Sequence, residues 1–361
     1  MDKIIKNILK KLETEGFEAY VVGGFVRDKI IGRESFDVDI CTNALPKEIH
    51  NIFGYNESNE YGSFNLKINK FNIDITTYRE DIKYKDGKLI ESKYINNLIE
   101  DIKRRDFTIN TLCMNELGEI IDLLNVSGDI DKKIVKMVGD PLKRLKEDPL
   151  RILRAVRFAT TLNFKIDSKL KEAIIKLKSE VSKVPLVKIR SELNKIIMSP
   201  NYKYGLKLLK DLKLDNELNF KWNKITYTDN ILGMYSQFDI NPKLFSKREY
   251  DTITEIRDIV KKGVIDDFVI YKYGLINSVT AGELLGMSKK DVYKINDSMY
   301  IKVDKNIEIN AKEIMEILNI EPSPKLKEIK DDILDKILTR ELKNSKKKIK
   351  AYIIKRYKDE V

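Results

Sequence analysis

The hydrophobic period changes once along this chain, and that change limits the architectures open to it. Before about residue 140, apolar and polar residues alternate in short runs. The clearest are Phe64-Asn65-Leu66-Lys67-Ile68-Asn69 and Phe71-Asn72-Ile73-Asp74-Ile75-Thr76, with Asn69-Lys70 as the hairpin turn between them. Residues 19–22 and 36–41 read as further strands, and helical spacing runs over residues 26–31 after the Gly23-Gly24 break. Beyond Pro141, apolar residues recur every three or four positions, over 148–161, 169–177, 186–198, 204–212 and 311–318, and over 326–357 with an interruption near Asn344. Breaks fall at Pro185, at Ser199-Pro200-Asn201, around Trp222 and near Lys302. The expected class is α+β: a small mixed-sheet head (1–140), then an all-helical neck (141–200), body (201–302) and tail (303–361).

At 361 residues the chain is long enough for two to three domains. No stretch approaches the roughly 18 uninterrupted apolar residues of a membrane span. The N-terminal Ile4, Ile5, Ile8, Leu9 and Leu12 mark an amphipathic helix, too short in its apolar run for a signal peptide. The expectation is a cytoplasmic protein with no membrane partner and no obligate protein partner. Two cysteines, Cys41 and Cys113, make neither a disulfide framework nor a four-cysteine zinc site, and both read as small buried hydrophobes. A single histidine, His50, excludes His-rich metal sites and reads as structural, on a helix over 46–53. The net charge of +11 suits a polyanionic partner but does not by itself identify one.

Chemistry concentrates in Gly23-Gly24-Phe25-Val26-Arg27-Asp28 and Asp37-Val38-Asp39. Side chains alternate along a strand, so Asp37 and Asp39 project to one side, about 7 Å apart along the chain. Two convergent carboxylates stay ionised together only when a cation neutralises them. Hard oxygen ligands of this kind suit Mg²⁺, which takes one or two carboxylates plus substrate phosphates. Asp74, on the polar face of its own strand, is a candidate third carboxylate. The strand–Gly–Gly–helix join gathers backbone N–H groups at one point, a geometry suited to phosphates, and Arg27 lies one turn further on.

These residues, with Arg104-Arg105-Asp106-Phe107-Thr108-Ile109-Asn110 and the run from Glu147-Asp148-Pro149-Leu150-Arg151 to Arg154-Ala155-Val156-Arg157-Phe158, resemble the class II tRNA nucleotidyltransferase (CCA-adding) and bacterial poly(A) polymerase family. The resemblance is specific over residues 20–163 and looser at 186–197 and 310–342. It implies a two-metal transfer in which Asp37 and Asp39 hold Mg²⁺ and an RNA 3′-hydroxyl attacks the α-phosphorus of a nucleotide, expelling pyrophosphate. Asp74 stands where close relatives often carry Glu. Gly24, Arg27 and Arg105 would contact the incoming nucleotide, and Asp148, Arg151, Arg154 and Arg157 would form its pocket. The implied substrates are tRNA, CTP and ATP. A charged segment after Tyr78 (Arg79, Glu80, Asp81, Lys83, Lys85, Asp86) matches a flexible loop that in the family accompanies the change from adding C to adding A. Poly(A) addition is the alternative within the same chemistry, and an inactive RNA-binding protein the alternative outside it.

The base preference has a physical reading. Cytosine and adenine each place an amine donor beside a ring-nitrogen acceptor on their pairing edge, and an Asp acceptor with an Arg donor satisfies both. Uracil and guanine reverse that polarity and leave buried groups unpaired, at about 1–3 kcal/mol each. Asp148 and Arg151, three apart on the helix expected over 148–161, are neighbours. On the same helix Asp148 and Arg157 fall on opposite sides, so Arg154 and Arg157 serve phosphates, RNA or the acidic head, or form a salt-bridged helix surface. The last twenty residues crowd Lys346, Lys347, Lys348 and Lys350 with further basic residues, either as a grip on RNA phosphates or as a solvated helix end.

Overall fold

A computed structural model describes residues 2–54, 63–85 and 88–358, and in it the chain forms two compact units, residues 1–220 and 221–361. The first opens with α1 (Lys3–Thr14), started by Asp2, whose carboxylate accepts from the Ile4 N–H. Ile5, Ile8, Leu9 and Leu12 share one face of α1 and are buried, each burial contributing about 1.5–3 kcal/mol. Strand β1 (Ala19–Val22) leads through Gly23 into α2 (Gly24–Ile30), followed by β2 (Asp37–Thr42) and α3 (Pro46–Phe53). The hairpin β3 (Ser63–Ile68) and β4 (Phe71–Thr77) turns at Asn69-Lys70, with Asn69 in the left-handed region at φ 52°. A separate hairpin, β5 (Arg79–Lys85) and β6 (Lys88–Tyr94), precedes α4 (Leu98–Lys103), and two short strands, β7 (Cys113–Met114) and β8 (Ile120–Ile121), complete the main sheet.

That sheet has the order β3-β4-β2-β1-β7-β8, with β2 and β4 parallel and every other neighbouring pair antiparallel. Val38, Ile40, Ile73 and Ile75 are buried on one face, which sends Asp37, Asp39, Asn72 and Asp74 to the other. The register sets Asp37 beside Asn72 and Asp39 beside Asp74. Cys41 and Cys113 are buried in a small apolar cluster with Tyr78, and His50 packs its ring against Phe64 at 5.2 Å.

Short α5 (Gly128–Asp131) and strand β9 (Ile134–Val135), which pairs in parallel with β10 (Lys165–Ile166), lead into the helical part of this unit. Its helices are α6 (Pro141–Glu147), α7 (Leu150–Leu162), α8 (Ser168–Leu177), α9 (Leu186–Ile197), α10 (Tyr202–Asp211) and short α11 (Leu214–Glu217). The helix expected over 148–161 therefore starts two residues later. Asp148 is extended (φ −140°, ψ 95°) because Pro149 disfavours the helical conformation in the residue before it.

The second unit is helical: α12 (Ile231–Tyr235), α13 (Lys247–Lys262), α14 (Asp267–Tyr273), α15 (Leu275–Leu284), α16 (Lys289–Ser298), α17 (Ala311–Leu318), α18 (Pro324–Leu338) and α19 (Lys346–Tyr357). One core, from Ile256 and Ile259 through Ile333 and Ile337 to Ile349 and Ile353, runs through helices on both sides of residue 302. The interruption expected near Asn344 is present. Its side chain accepts from the Glu308 N–H and donates to the Asn306 carbonyl, so the break is tied to the loop before α17. Among the described residues no helix is long and apolar enough to cross a membrane.

Candidate active site

A cavity of about 640 Å³ opens above the polar face of the sheet within the first unit. Gly23, Gly24, Arg27, Asp37 and Asp39 line it from the sheet side, Arg105 from beyond α4, and Asp148, Arg151, Arg154 and Arg157 from the helical side. All the residues expected to bind a nucleotide thus meet in one space of the size that small-molecule sites occupy.

Asp37 and Asp39 share the exposed face of β2, and Asn72 donates to Asp37 at 2.9 Å. The cavity walls displace bulk water around Asp39 and raise its pKa; Asp74 and Asp37 add to that, and Arg105 opposes it. Asp74 stands beside Asp39 and accepts from Asn65 at 2.7 Å, but it is not among the residues lining the cavity. Among the described residues no group of three His, Cys, Asp or Glu is placed to hold a metal ion; the pair expected to do so, Asp37 and Asp39, lines the cavity. Two hard carboxylates whose mutual repulsion is incompletely relieved fit a divalent cation that draws its other ligands from phosphates and water.

Gly23 sits at φ +81°, where a Cβ would come within 3.1 Å of the Asp39 carboxylate and 3.8 Å of the Arg105 guanidinium. A side chain there would be strained and would crowd both groups. Arg27 is buried, held by Asp28 at 2.8 Å and donating to Asn110 at 2.6 Å. Arg105 donates to the buried Asp101 at 3.2 Å, while its own buried Nε has no hydrogen-bond partner. The Arg105 guanidinium as a whole lines the cavity beside Gly23, a position that suits an anionic ligand.

Because Asp148 precedes α7, it acts as a cap, accepting from the Leu150 N–H at 3.1 Å, and its other oxygen lies 4.0 Å from the Arg151 Nε. The two are neighbours as expected, but not through helical spacing. The opposite-sides relation of Asp148 and Arg157 lapses for the same reason, and all four polar residues of this segment line the cavity. Arg151 is nearly buried. It donates to the Arg144 carbonyl at 2.8 Å, to Glu147 at 3.3 Å and to the Tyr84 hydroxyl at 3.2 Å. Arg154 reaches Asp106 of the head, at 2.8 Å from its Nε, and Arg157 pairs with Glu192 at 2.5 Å.

Sequence reasoning assigned no role to Asp106, Asn110, Tyr84, Phe158 or Lys188, yet all five line this cavity. Asp106 and Asn110 lie within the Arg104–Asn110 motif, but they meet through an extended residue and a short 3-10 turn, which apolar spacing does not reveal. Lys188, on a distant helix, left no signal. Tyr84 belongs to the β5–β6 hairpin and donates to Asp81 at 2.7 Å, so the charged segment after Tyr78 touches Arg151 directly. Asp86 of that segment lies outside the described residues, as does the Lys85 side chain.

Burial alone would raise the Asp106 carboxyl, but Arg154, Asn110 and the Phe107 N–H outweigh it and hold it at about 2. A depressed carboxyl contributes stability that is fully present above its unfolded pKa, near 3.8, and is lost as pH falls through 2. The shift corresponds to roughly 2 kcal/mol. In urea unfolding, Asp106→Asn is expected to be less stable than wild type by about that amount above pH 4, with the gap closing toward pH 2. A gap independent of pH would remove the ionised carboxylate as its source.

Carboxylates and guanidiniums facing each other across a nucleotide-sized space are what transfer of a nucleotidyl group requires, and the chain is a nucleotidyltransferase. Enzymes of this class generally use a divalent metal ion. The family model for the Poly A polymerase head domain matches residues 19–136, that for the "Probable RNA and SrmB-binding site of polymerase A" matches 163–219, and that for tRNA nucleotidyltransferase domain 2 matches 243–353. A CCA-adding enzyme of Lactococcus lactis subsp. cremoris is 33% identical over 93% of this chain and 92% of its own length. One from Staphylococcus epidermidis is 28% identical over 96% of each. The fold matches that of the Bacillus stearothermophilus CCA-adding enzyme in complex with CTP, with a TM-score of 0.85 at 23% identity over 100% of this chain and 99% of that one. It also matches the Thermotoga maritima CCA-adding enzyme in complex with tRNA, with a TM-score of 0.65 at 19% identity over 98% and 96%. The chain belongs to the CCA-adding enzyme family.

Proposed function

We propose that this protein adds C, C and A to the 3′ end of tRNA without a nucleic-acid template, using CTP and ATP and releasing pyrophosphate. The observation that carries this reading is the convergence of Asp37, Asp39, Gly24, Arg27, Arg105, Asp148 and Arg151 on one cavity. Asp37 and Asp39 would hold Mg²⁺, which when bound supplies Lewis-acid stabilisation of charge on the reacting phosphate. The RNA 3′-hydroxyl gives its proton to water as its oxygen bonds to the α-phosphorus and the bond to the pyrophosphate oxygen breaks. Arg27 and Arg105 meet the nucleotide's phosphates, and Asp148 with Arg151 reads the amine and ring nitrogen of cytosine or adenine. Asp74 adds negative field beside Asp39 from outside the cavity lining.

The division into head, neck, body and tail at about residues 140, 200 and 302 is kept as a functional one, and the reaction is placed in the cytoplasm. In the tail, Lys347, Lys348 and Lys350 are exposed on α19 and would grip RNA phosphates without reading sequence. Lys346 is paired with Glu313 and contributes less. Tyr352 and Tyr357 both donate to Asp332, at 2.6 and 2.7 Å, and so anchor the helix instead of stacking on bases.

The decisive assay is incorporation into a tRNA transcript lacking its terminal CCA, resolved to single nucleotides. CTP alone is expected to give two additions, and CTP with ATP a third. A long ladder from ATP alone would make the protein a poly(A) polymerase. No extension with Mg²⁺ present would leave an RNA-binding protein.

A further inference from the structure

Phe158 is the residue in the cavity whose surroundings the reaction as proposed does not explain. Three guanidinium groups approach its ring: Arg157 at 3.8 Å, Arg27 at 5.3 Å and Arg154 at 5.5 Å from the centroid. The ring lines the cavity but is only 6% exposed, and Phe107 packs against it in a T-shaped arrangement at 5.5 Å. Gathering three cations around one point is unfavourable, and two features offset it. Each arginine has its own carboxylate, Arg27 with Asp28, Arg157 with Glu192 and Arg154 with Asp106. Each also meets the negative face or body of one aromatic ring.

The three arginines come from different places. Arg27 lies on α2, behind the glycine turn, whereas Arg154 and Arg157 lie on α7. A second path joins two of them: Arg27 donates to Asn110, Asn110 donates to Asp106 at 3.1 Å, and Asp106 accepts from Arg154. These polar links hold the guanidinium edges: Arg27 between Asp28 and Asn110, and Arg154 on one oxygen of Asp106. The Phe158 ring lies beside all three.

We infer that Phe158 is a positioning residue: its π face sets Arg27, Arg154 and Arg157 as one preorganised anion receptor for the triphosphate of the incoming nucleotide. This deepens the proposed function and rests on it. In the proposed reading base choice rests on Asp148 and Arg151, and the ring positions neither, so its loss should weaken nucleotide binding without changing which base is chosen.

The test compares Phe158→Leu, which keeps an apolar group of similar bulk, with Phe158→Tyr, which keeps the ring. Dissociation constants for CTP and ATP are measured by calorimetry, alongside thermal melting and the KM and kcat of each nucleotide. Phe158→Leu is expected to raise both dissociation constants and both KM values about tenfold, with the ratio between CTP and UTP unchanged and with kcat reduced less than KM rises. Phe158→Tyr is expected to stay within about twofold of wild type. Equal affinities in wild type and Phe158→Leu would overturn the inference, as would a Tyr variant as impaired as the Leu variant. If Phe158→Leu melts out, Phe158→Trp decides: it keeps a π face in a changed volume, and wild-type-like melting with tenfold weaker binding would equally overturn the role. Wild-type protein that binds neither CTP nor ATP would overturn the nucleotide reading itself.

Discussion

Asp37→Asn is expected to abolish nucleotide addition, by about a thousandfold or more, while leaving tRNA affinity within about twofold of wild type. The magnitude follows from the several kcal/mol of transition-state stabilisation that a bound metal supplies and that a neutral amide ligand cannot support. The substitution is nearly isosteric. Asp37 stands on the exposed face of β2, and the Asn72 amide that donates to it can donate equally to an Asn oxygen. The sheet core beneath it, Val38 and Ile40, is untouched, so melting should change little. Single-turnover extension and a gel-shift titration on one preparation separate the two effects. Turnover retained by the variant would remove the carboxylate-pair proposal, and tRNA affinity lost together with turnover would indicate damage to the fold.

Arg151→Ala is expected to lower the preference for CTP and ATP over UTP and GTP by about 10- to 100-fold in kcat/KM. That range is the roughly 1–3 kcal/mol that a mispaired buried polar group costs. Arg151 is also embedded in structure: its removal takes one partner from each of the Arg144 carbonyl, Glu147 and the Tyr84 hydroxyl, so some stability is lost as well. A ratio of specificity constants is insensitive to the fraction of folded enzyme, which makes it the proper readout. An unchanged ratio at reduced overall activity would make Arg151 a strut between α7 and the β5–β6 hairpin, with base choice made elsewhere.

The fold was legible wherever one residue class repeated at one period. The alternation at Phe64–Asn69 and Phe71–Thr76 identified β3 and β4, and the apolar spacing after Pro141 identified α7 to α10 nearly to their ends. The miss at Asp148 was a local competition. Apolar periodicity favoured extending α7 backwards, but the ring of Pro149 restricts the residue before it, and the backbone there is extended. That restriction is visible in the sequence and was outweighed by the periodic pattern. In the site, Asp37 and Asp39 were legible because strand alternation alone sends two residues, two apart, to one face.

The sequence by itself determined the carboxylate pair, the glycine turn and the order of segments, since each depends on interactions within a few residues of the chain. Only the tertiary structure decided which arginines face which partners. Arg154 meets Asp106, Arg157 meets Glu192, and Arg27 meets Asn110 across separations of 48, 35 and 83 residues. A guanidinium on a long flexible side chain can pair with any carboxylate within reach, and local sequence does not say which one the folded backbone brings there. The same holds for Phe158. On its helix it reads as one more core residue of α7, and its place among three arginines exists only once α2, α7 and the segment around Phe107 are packed together.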